Sequence, residues 1–141
     1  MIRAGRGSRT AWSNHHSRLF RGILSDIMEP IFHLVVPEQW HSQVDRDYQA
    51  DSLDKEGFIH CSFARQVEWA ANRFYPDAPA LLVLTIAPER LKSPLKIEFP
   101  PGKGSKESDI FPHIHGPLNR SAVVEVREMK RSPINEWVLP S

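Results

Sequence analysis

Cysteine is almost absent. Cys61 is the only one in 141 residues, which excludes an intramolecular disulfide framework. Long apolar runs are absent too: the longest, Ala80 to Ile86 with Thr85 inside it, is far too short to span a bilayer. There is no HExxH, no GxGxxG, no serine elbow and no phosphate-binding glycine loop. Gly102-Lys103-Gly104-Ser105-Lys106 lacks P-loop spacing, and no helical pattern follows it. A surplus of either charge is also missing, since 18 Lys and Arg face 17 Asp and Glu, a net charge of +1. What remains is an ordinary mixture, 40% hydrophobic and 25% charged, of a length that suits one domain with a core of its own.

The net charge hides a split. Residues 1–27 hold five arginines (Arg3, Arg6, Arg9, Arg18 and Arg21) and one acid, Asp26. The rest of the chain therefore has 13 bases (18 less 5) and 16 acids (17 less 1), a net of −3. A mildly acidic body has no electrostatic footprint for nucleic acid. The basic segment is open to three readings: a transit-like peptide, a basic arm, or an extension upstream of the domain. The third is favoured, because Met28 stands just before the first clear strand. The expected organisation is a disordered extension over 1–27, a domain over 28–131 and a C-terminal tail over 132–141 anchored by Trp137. The expected compartment is the cytoplasm, with no membrane association.

Within the body, Ile31 to Val36 predicts a strand ending at Pro37, and Pro37-Glu38-Gln39-Trp40 the first turn of a short helix. Ser52 to Gly57 reads as one helical turn stopped by glycine. Phe58-Ile59-His60-Cys61 predicts a second strand, with Ser62 as the cap of a helix that buries Phe63, Val67, Ala70, Ala71 and Phe74. The apolar run from Ala80 predicts a strand buried on both faces. Pro94 to Phe99 and Ala122 to Met129 predict two more, the latter with Val124 and Val126 on one face, and Pro100 to Asp109 reads as a surface loop. This pattern is α+β, with five or six strands and two modest helices.

Five of the seven histidines lie in the body, and His33, His60 and His113 sit in or beside apolar strand segments. An imidazole without a partner is costly there, so each is either a satisfied core residue or part of a site. Alternation puts His60 and Ser62 on one strand face, with Ile59 and Cys61 on the other. Cys61 therefore reads as a small buried hydrophobe, not as a nucleophile activated by His60. Ser62 at a helix start would place backbone N–H groups toward an anionic or polar ligand. Arg73 and Tyr75, at the end of that helix, are placed to edge a cleft. His113-Ile114-His115 puts two imidazoles on one strand face, a spacing found in metal sites, for which His60, His33 or Glu98 would have to supply a third ligand. With no cysteine pair and no HExxH, no metal is expected.

Four segments carry a more specific signal: Ile31-Phe32-His33-Leu34, Gly57-Phe58-Ile59-His60-Cys61-Ser62, Ala71-Asn72-Arg73-Phe74-Tyr75, and Phe111-Pro112-His113-Ile114-His115-Gly116-Pro117-Leu118. Together they resemble the DUF952 family of small uncharacterised proteins, over roughly Pro30 to Met129. The family's common pattern has Tyr where His115 stands. The resemblance extends to the ADP-ribosyltransferase-like proteins, and it implies a compact domain of two small, mainly antiparallel sheets with a cleft and two short helices. It further implies that His33 holds the nicotinamide ribose of NAD and that Ser62 supports the nicotinamide side. A glutamate would polarise the ribose, with Glu98, Glu125 and Glu128 as candidates. The expectation is thus a nucleotide ligand, with NAD as cofactor. His33, His60 and His113 would be the catalytic groups, and Ser62, Arg73, Tyr75 and His115 would bind the ligand. Two alternatives stand beside it: a non-catalytic module that binds a small molecule or protein in the same cleft, and a histidine-based metal protein.

Overall fold

The computed structural model describes residues 29–99 and 110–141. The basic segment over 1–27 and the loop expected over 100–109 lie outside the described residues. Strand β1 (Ile31–Val35) opens the domain, and Pro37 starts helix α1 (Pro37–His41). Helix α2 (Asp51–Glu56) ends at Gly57, whose φ of 90° is the left-handed conformation that stops a helix most cheaply when no Cβ is present. Strand β2 (Ile59–His60) then leads into a 3₁₀ turn, Ala64–Gln66, and helix α3 (Val67–Phe74). Strands β3 (Leu82–Ile86), β4 (Leu95–Glu98), β5 (Phe111–Ile114) and β6 (Val123–Glu128) follow. A closing hairpin pairs β7 (Lys130–Arg131) with β8 (Trp137–Val138).

Two antiparallel three-stranded sheets form the frame, one ordered β1-β3-β6 and the other β2-β5-β4. They meet edge to edge. Phe32 N–H donates to the Ser62 carbonyl (2.8 Å), and Ser62 N–H donates to the Phe32 carbonyl (2.7 Å). Beyond that bridge the two sheets share one apolar cluster. Strand β3 is central in its sheet, and core clusters pack against both of its faces. Leu82, Leu84 and Ile86 enter one cluster with Ile31, Val35, Ile59 and Ile114, while Val83 enters a second with Leu34, Val67, Ala70 and Trp137. That explains the uninterrupted apolar run. Val124 falls at a break in the β3–β6 register, where Val123 pairs with Ile86 and Glu125 with Thr85, so simple alternation does not run through it; β6 is an edge strand, and Val124 and Val126 are both exposed.

Two expectations need correction. Ser62 does not cap the helix: both of its backbone groups are held in the bridge to Phe32, so its conformation is extended. The following turn starts from Phe63, whose N–H is taken by the Gln66 side chain at 2.9 Å. The anion-binding corner inferred there has no free N–H at Phe63 to offer. Phe74 is not buried but 63% exposed. Helix α3 ends at that residue, and Tyr75 and Trp137 fill the space against Ala70 and Ala71 instead. In the segment 132–141 the buried Trp137 is held by Asn72, whose Oδ1 accepts from Trp137 N–H (2.7 Å) and whose Nδ2 donates to the Trp137 carbonyl (3.0 Å). Trp137 Nε1–H donates to the Tyr75 carbonyl at 2.7 Å.

Candidate functional site

The sheet β2-β5-β4 sorts its side chains by alternation. Ile59, Cys61, Ile114, Leu95 and Ile97 face the core. The opposite face carries Phe58 and His60, then Phe111, His113 and His115, then Lys96 and Glu98. Register aligns this second set: His60 is directly opposite His113, which is opposite Lys96, and Glu98 is opposite Phe111. Sequence spacing alone pairs His113 with His115; strand pairing adds His60 and Glu98.

One oxygen joins the set. Glu98 Oε1 lies 2.8 Å from His113 Nδ1 and 2.8 Å from His115 Nε2. These two hydrogen bonds, His115 first, hold the Glu98 carboxyl below the ordinary carboxylate range. An ionised carboxylate only accepts, so both imidazoles donate to it. In the neutral rings the lone pairs then sit on His113 Nε2 and His115 Nδ1. Burial lowers the His113 pKa despite the opposing pull of Glu98, so a neutral imidazole rests against an ionised carboxylate. His113 is 2% exposed, Glu98 36% and His115 25%: a fixed base beneath two accessible groups.

The covering of His113 is aromatic. Phe58 stacks on it with ring centroids 4.0 Å apart, and His60 meets it edge-on at 5.4 Å. His60 is itself 51% exposed, with Nε2 3.0 Å from Glu56 Oε2. At the other end of the face Trp69, 55% exposed, lies beside Phe111 with centroids 6.0 Å apart and planes 30° from parallel. Gly116 fixes the chain just after His115. Its φ is 153°, and a Cβ there would fall 2.5 Å from Ser93 Oγ. His115 N–H donates to the Pro94 carbonyl at 2.8 Å.

The structure thus brings together His60, His113 and His115 of the expected site residues and adds Glu98. It separates the others. His33 is buried at the seam between the sheets. Its Nδ1–H donates to the His60 carbonyl (2.6 Å), and its Nε2 accepts from the Tyr48 hydroxyl (2.8 Å). Both ring nitrogens are engaged with protein. Burial pushes its pKa down to about 4, with the His60 carbonyl opposing and the His60 ring adding to the fall. Ser62 is buried in the bridge. Arg73 lies on a shallow groove with Trp69, Asn72 and Trp137 and stacks on Phe74 at 5.7 Å. Tyr75 is half-buried, and burial together with the Asp51 charge raises its pKa. Burial likewise raises the Cys61 thiol, which agrees with an inert core residue. Glu125 and Glu128 lie on β6, in the other sheet. Tyr48 and Trp69 were not singled out from the sequence: Tyr48 stands in a polar stretch, and Trp69 lies on the outer side of its helix.

A small α+β domain with a histidine–carboxylate face on its second sheet is the class that these features define. The chain belongs to the DUF952 family, described as proteins of unknown function, whose profile matches residues 34–126. Its fold is similar to the crystal structure of protein CC0527 from Caulobacter crescentus, with TM-score 0.64 and 24% identity over 78% of this chain and 94% of that one. The solution structure of CC0527 is similar as well, with TM-score 0.63 and 23% identity over 76% and 90% of the two chains. At this identity the likeness shows the fold. No curated protein matches the chain. Among the described residues, no helix is long and apolar enough to cross a membrane.

Proposed function

We propose that this chain binds a nucleotide of the NAD or ADP-ribose class on the exposed face of β2, β5 and β4, in an ADP-ribosyltransferase-like arrangement. The observation that carries the reading is the Glu98 carboxylate held by two imidazoles, beside a third, exposed imidazole at His60. Cleavage at a ribose passes through an oxocarbenium-like state, which a fixed carboxylate stabilises. Glu98 is that carboxylate, chosen over Glu125 and Glu128 because only it stands among the histidines. His115 Nδ1 and the His60 ring are placed to accept from ribose hydroxyls or to take a proton. Trp69 and Phe111 offer aromatic surface for a planar base, and Arg73 lies beyond Trp69 for a phosphate.

The roles differ from those that the family resemblance implied. His33 serves the seam rather than the ribose, and Ser62 serves the bridge rather than an amide. Calorimetry with NAD, ADP-ribose and a 2′-phosphorylated analogue, in EDTA, tests the reading. The expected result is saturable binding of at least one of them, weakened about tenfold or more by Glu98→Gln or His60→Ala. Absence of binding to all three at millimolar ligand overturns it. Chromatography of NAD incubated with the protein separates turnover, seen as free nicotinamide, from binding alone.

A further inference from the structure

We infer that Glu98, His113 and His115 form a site for a divalent transition-metal ion, with zinc as the expected occupant and a coordination position open to solvent. The three side chains offer one carboxylate oxygen and two imidazole nitrogens, all within 4.8 Å of one another. Two imidazoles with one carboxylate is a ligand set that zinc uses where a fourth position is left for water or substrate. The set suits zinc and its neighbours and does not suit magnesium or calcium, which prefer all-oxygen shells. The sequence alone pointed away from a metal because it holds no cysteine pair and no HExxH. Pairing β4 with β5 removes that objection by supplying the third ligand from a different strand.

The geometry is close to what an ion requires. Bonds of about 2.0–2.2 Å to a tetrahedral ion hold its donor atoms roughly 3.4 Å apart. Both nitrogens lie 2.8 Å from Glu98 Oε1 and all three donor atoms lie within 4.8 Å of one another, so the two nitrogen–oxygen contacts have to open by about 0.6 Å to reach that spacing. His115 and Glu98 are partly exposed and can rotate, whereas His113 is held by the Phe58 stack. In the neutral form of each imidazole the proton lies on the nitrogen facing Glu98. Ion binding therefore moves that proton, through solvent, to the other ring nitrogen, and no net charge leaves either ring. The exposed sides of Glu98 and His115 leave the fourth position facing solvent.

The ion needs only these three side chains, so its test is separate from that of the nucleotide. Untagged, EDTA-stripped full-length protein is titrated with zinc chloride by calorimetry, and with cobalt chloride by visible absorption. One ion per chain is expected, with intense four-coordinate cobalt absorption. Glu98→Gln should weaken zinc binding about tenfold and His115→Ala about a hundredfold, while His41→Ala changes it less than about twofold. These variants are chosen because His113→Ala would also remove a packed ring; circular dichroism confirms that each one is folded. Long-range nitrogen–proton spectra should show the coordinated nitrogens at His113 Nδ1 and His115 Nε2. Failure to bind one zinc per chain, or binding undiminished in both Glu98→Gln and His115→Ala, overturns the inference.

Discussion

His33 offers the sharpest test of how the two sheets are joined. Where β1 and β2 part, the imidazole takes over from the backbone ladder: Nδ1–H holds the His60 carbonyl and Nε2 receives the Tyr48 hydroxyl. Replacing it in His33→Leu leaves both partners without a bond in a buried place. At about 1–3 kcal/mol for each unsatisfied group, the expected loss is roughly 2–5 kcal/mol at neutral pH. The titration supplies an independent signature. The His33 pKa falls from 6.5 to about 4 on folding, so between those values the unfolded chain binds a proton that the folded chain refuses. Stability from this group is therefore complete above pH 6.5 and is lost as pH drops toward 4. From pH 7.5 to 4.5 the loss is about 2.5 kcal/mol. Urea unfolding of the natural chain and of His33→Leu at both pH values measures it. The gap between the two proteins should narrow by about that amount at the lower pH. An equal gap at both, or an imidazole resonance of His33 that titrates near 6.5, would refute the assignment.

Two further outcomes concern the frame around the site. Gly116→Ala puts a Cβ 2.5 Å from Ser93 Oγ and 2.9 Å from Ser93 Cβ, at a φ of 153°. It should destabilise by about 1–3 kcal/mol in urea unfolding and shift the His115 imidazole resonances, because Ser93 also bonds the Pro117 carbonyl; a change under about 0.5 kcal/mol would contradict the tight packing. Trp137→Ala removes a buried ring that bonds the Tyr75 carbonyl and lies 3.7 Å beneath the Arg131 guanidinium. A loss of roughly 3–5 kcal/mol is expected, and a loss below about 1 kcal/mol would mean that the β7–β8 hairpin is not anchored through it.

How much of this was legible in the sequence differs between the fold and the site. The doubly buried β3 was, because a strand packed on both faces needs apolar residues on both, and nothing else explains Leu82 to Ile86 so simply. Gly57 was, because glycine after a helical turn is a local signal. Ser62 was misread because capping propensity is local, whereas its extended backbone is imposed by Phe32, which lies on another strand. Phe74 was misread because helical periodicity says which side a residue occupies but not where the helix leaves the core. The site shows the same division. His113 and His115 are neighbours by period two, which sequence reveals. Glu98 stands with them through the register of a hairpin, and that depends on where the connection lets the strands pair. His33 looked like a ligand-holding residue for the same reason that it is a structural one: a polar ring in an apolar strand needs partners, and sequence cannot say whether those are protein or ligand.

Glu98 now carries two proposals, and their coupling is the most informative measurement left. If a zinc ion occupies the three side chains with one position open, a phosphate or hydroxyl oxygen of a nucleotide on the same face completes its coordination. Zinc should then raise the affinity for ADP-ribose by roughly tenfold. By linkage, saturating ADP-ribose should raise the affinity for zinc by the same factor, because the two equilibria close a thermodynamic cycle. Calorimetric titrations in the four combinations, with and without each ligand, give both factors. Independent binding, with each ligand saturating and neither altering the other, would mean that the nucleotide does not lie on the imidazole face. The groove of Trp69, Arg73 and Trp137 on the outer side of α3 would then be the place to test next.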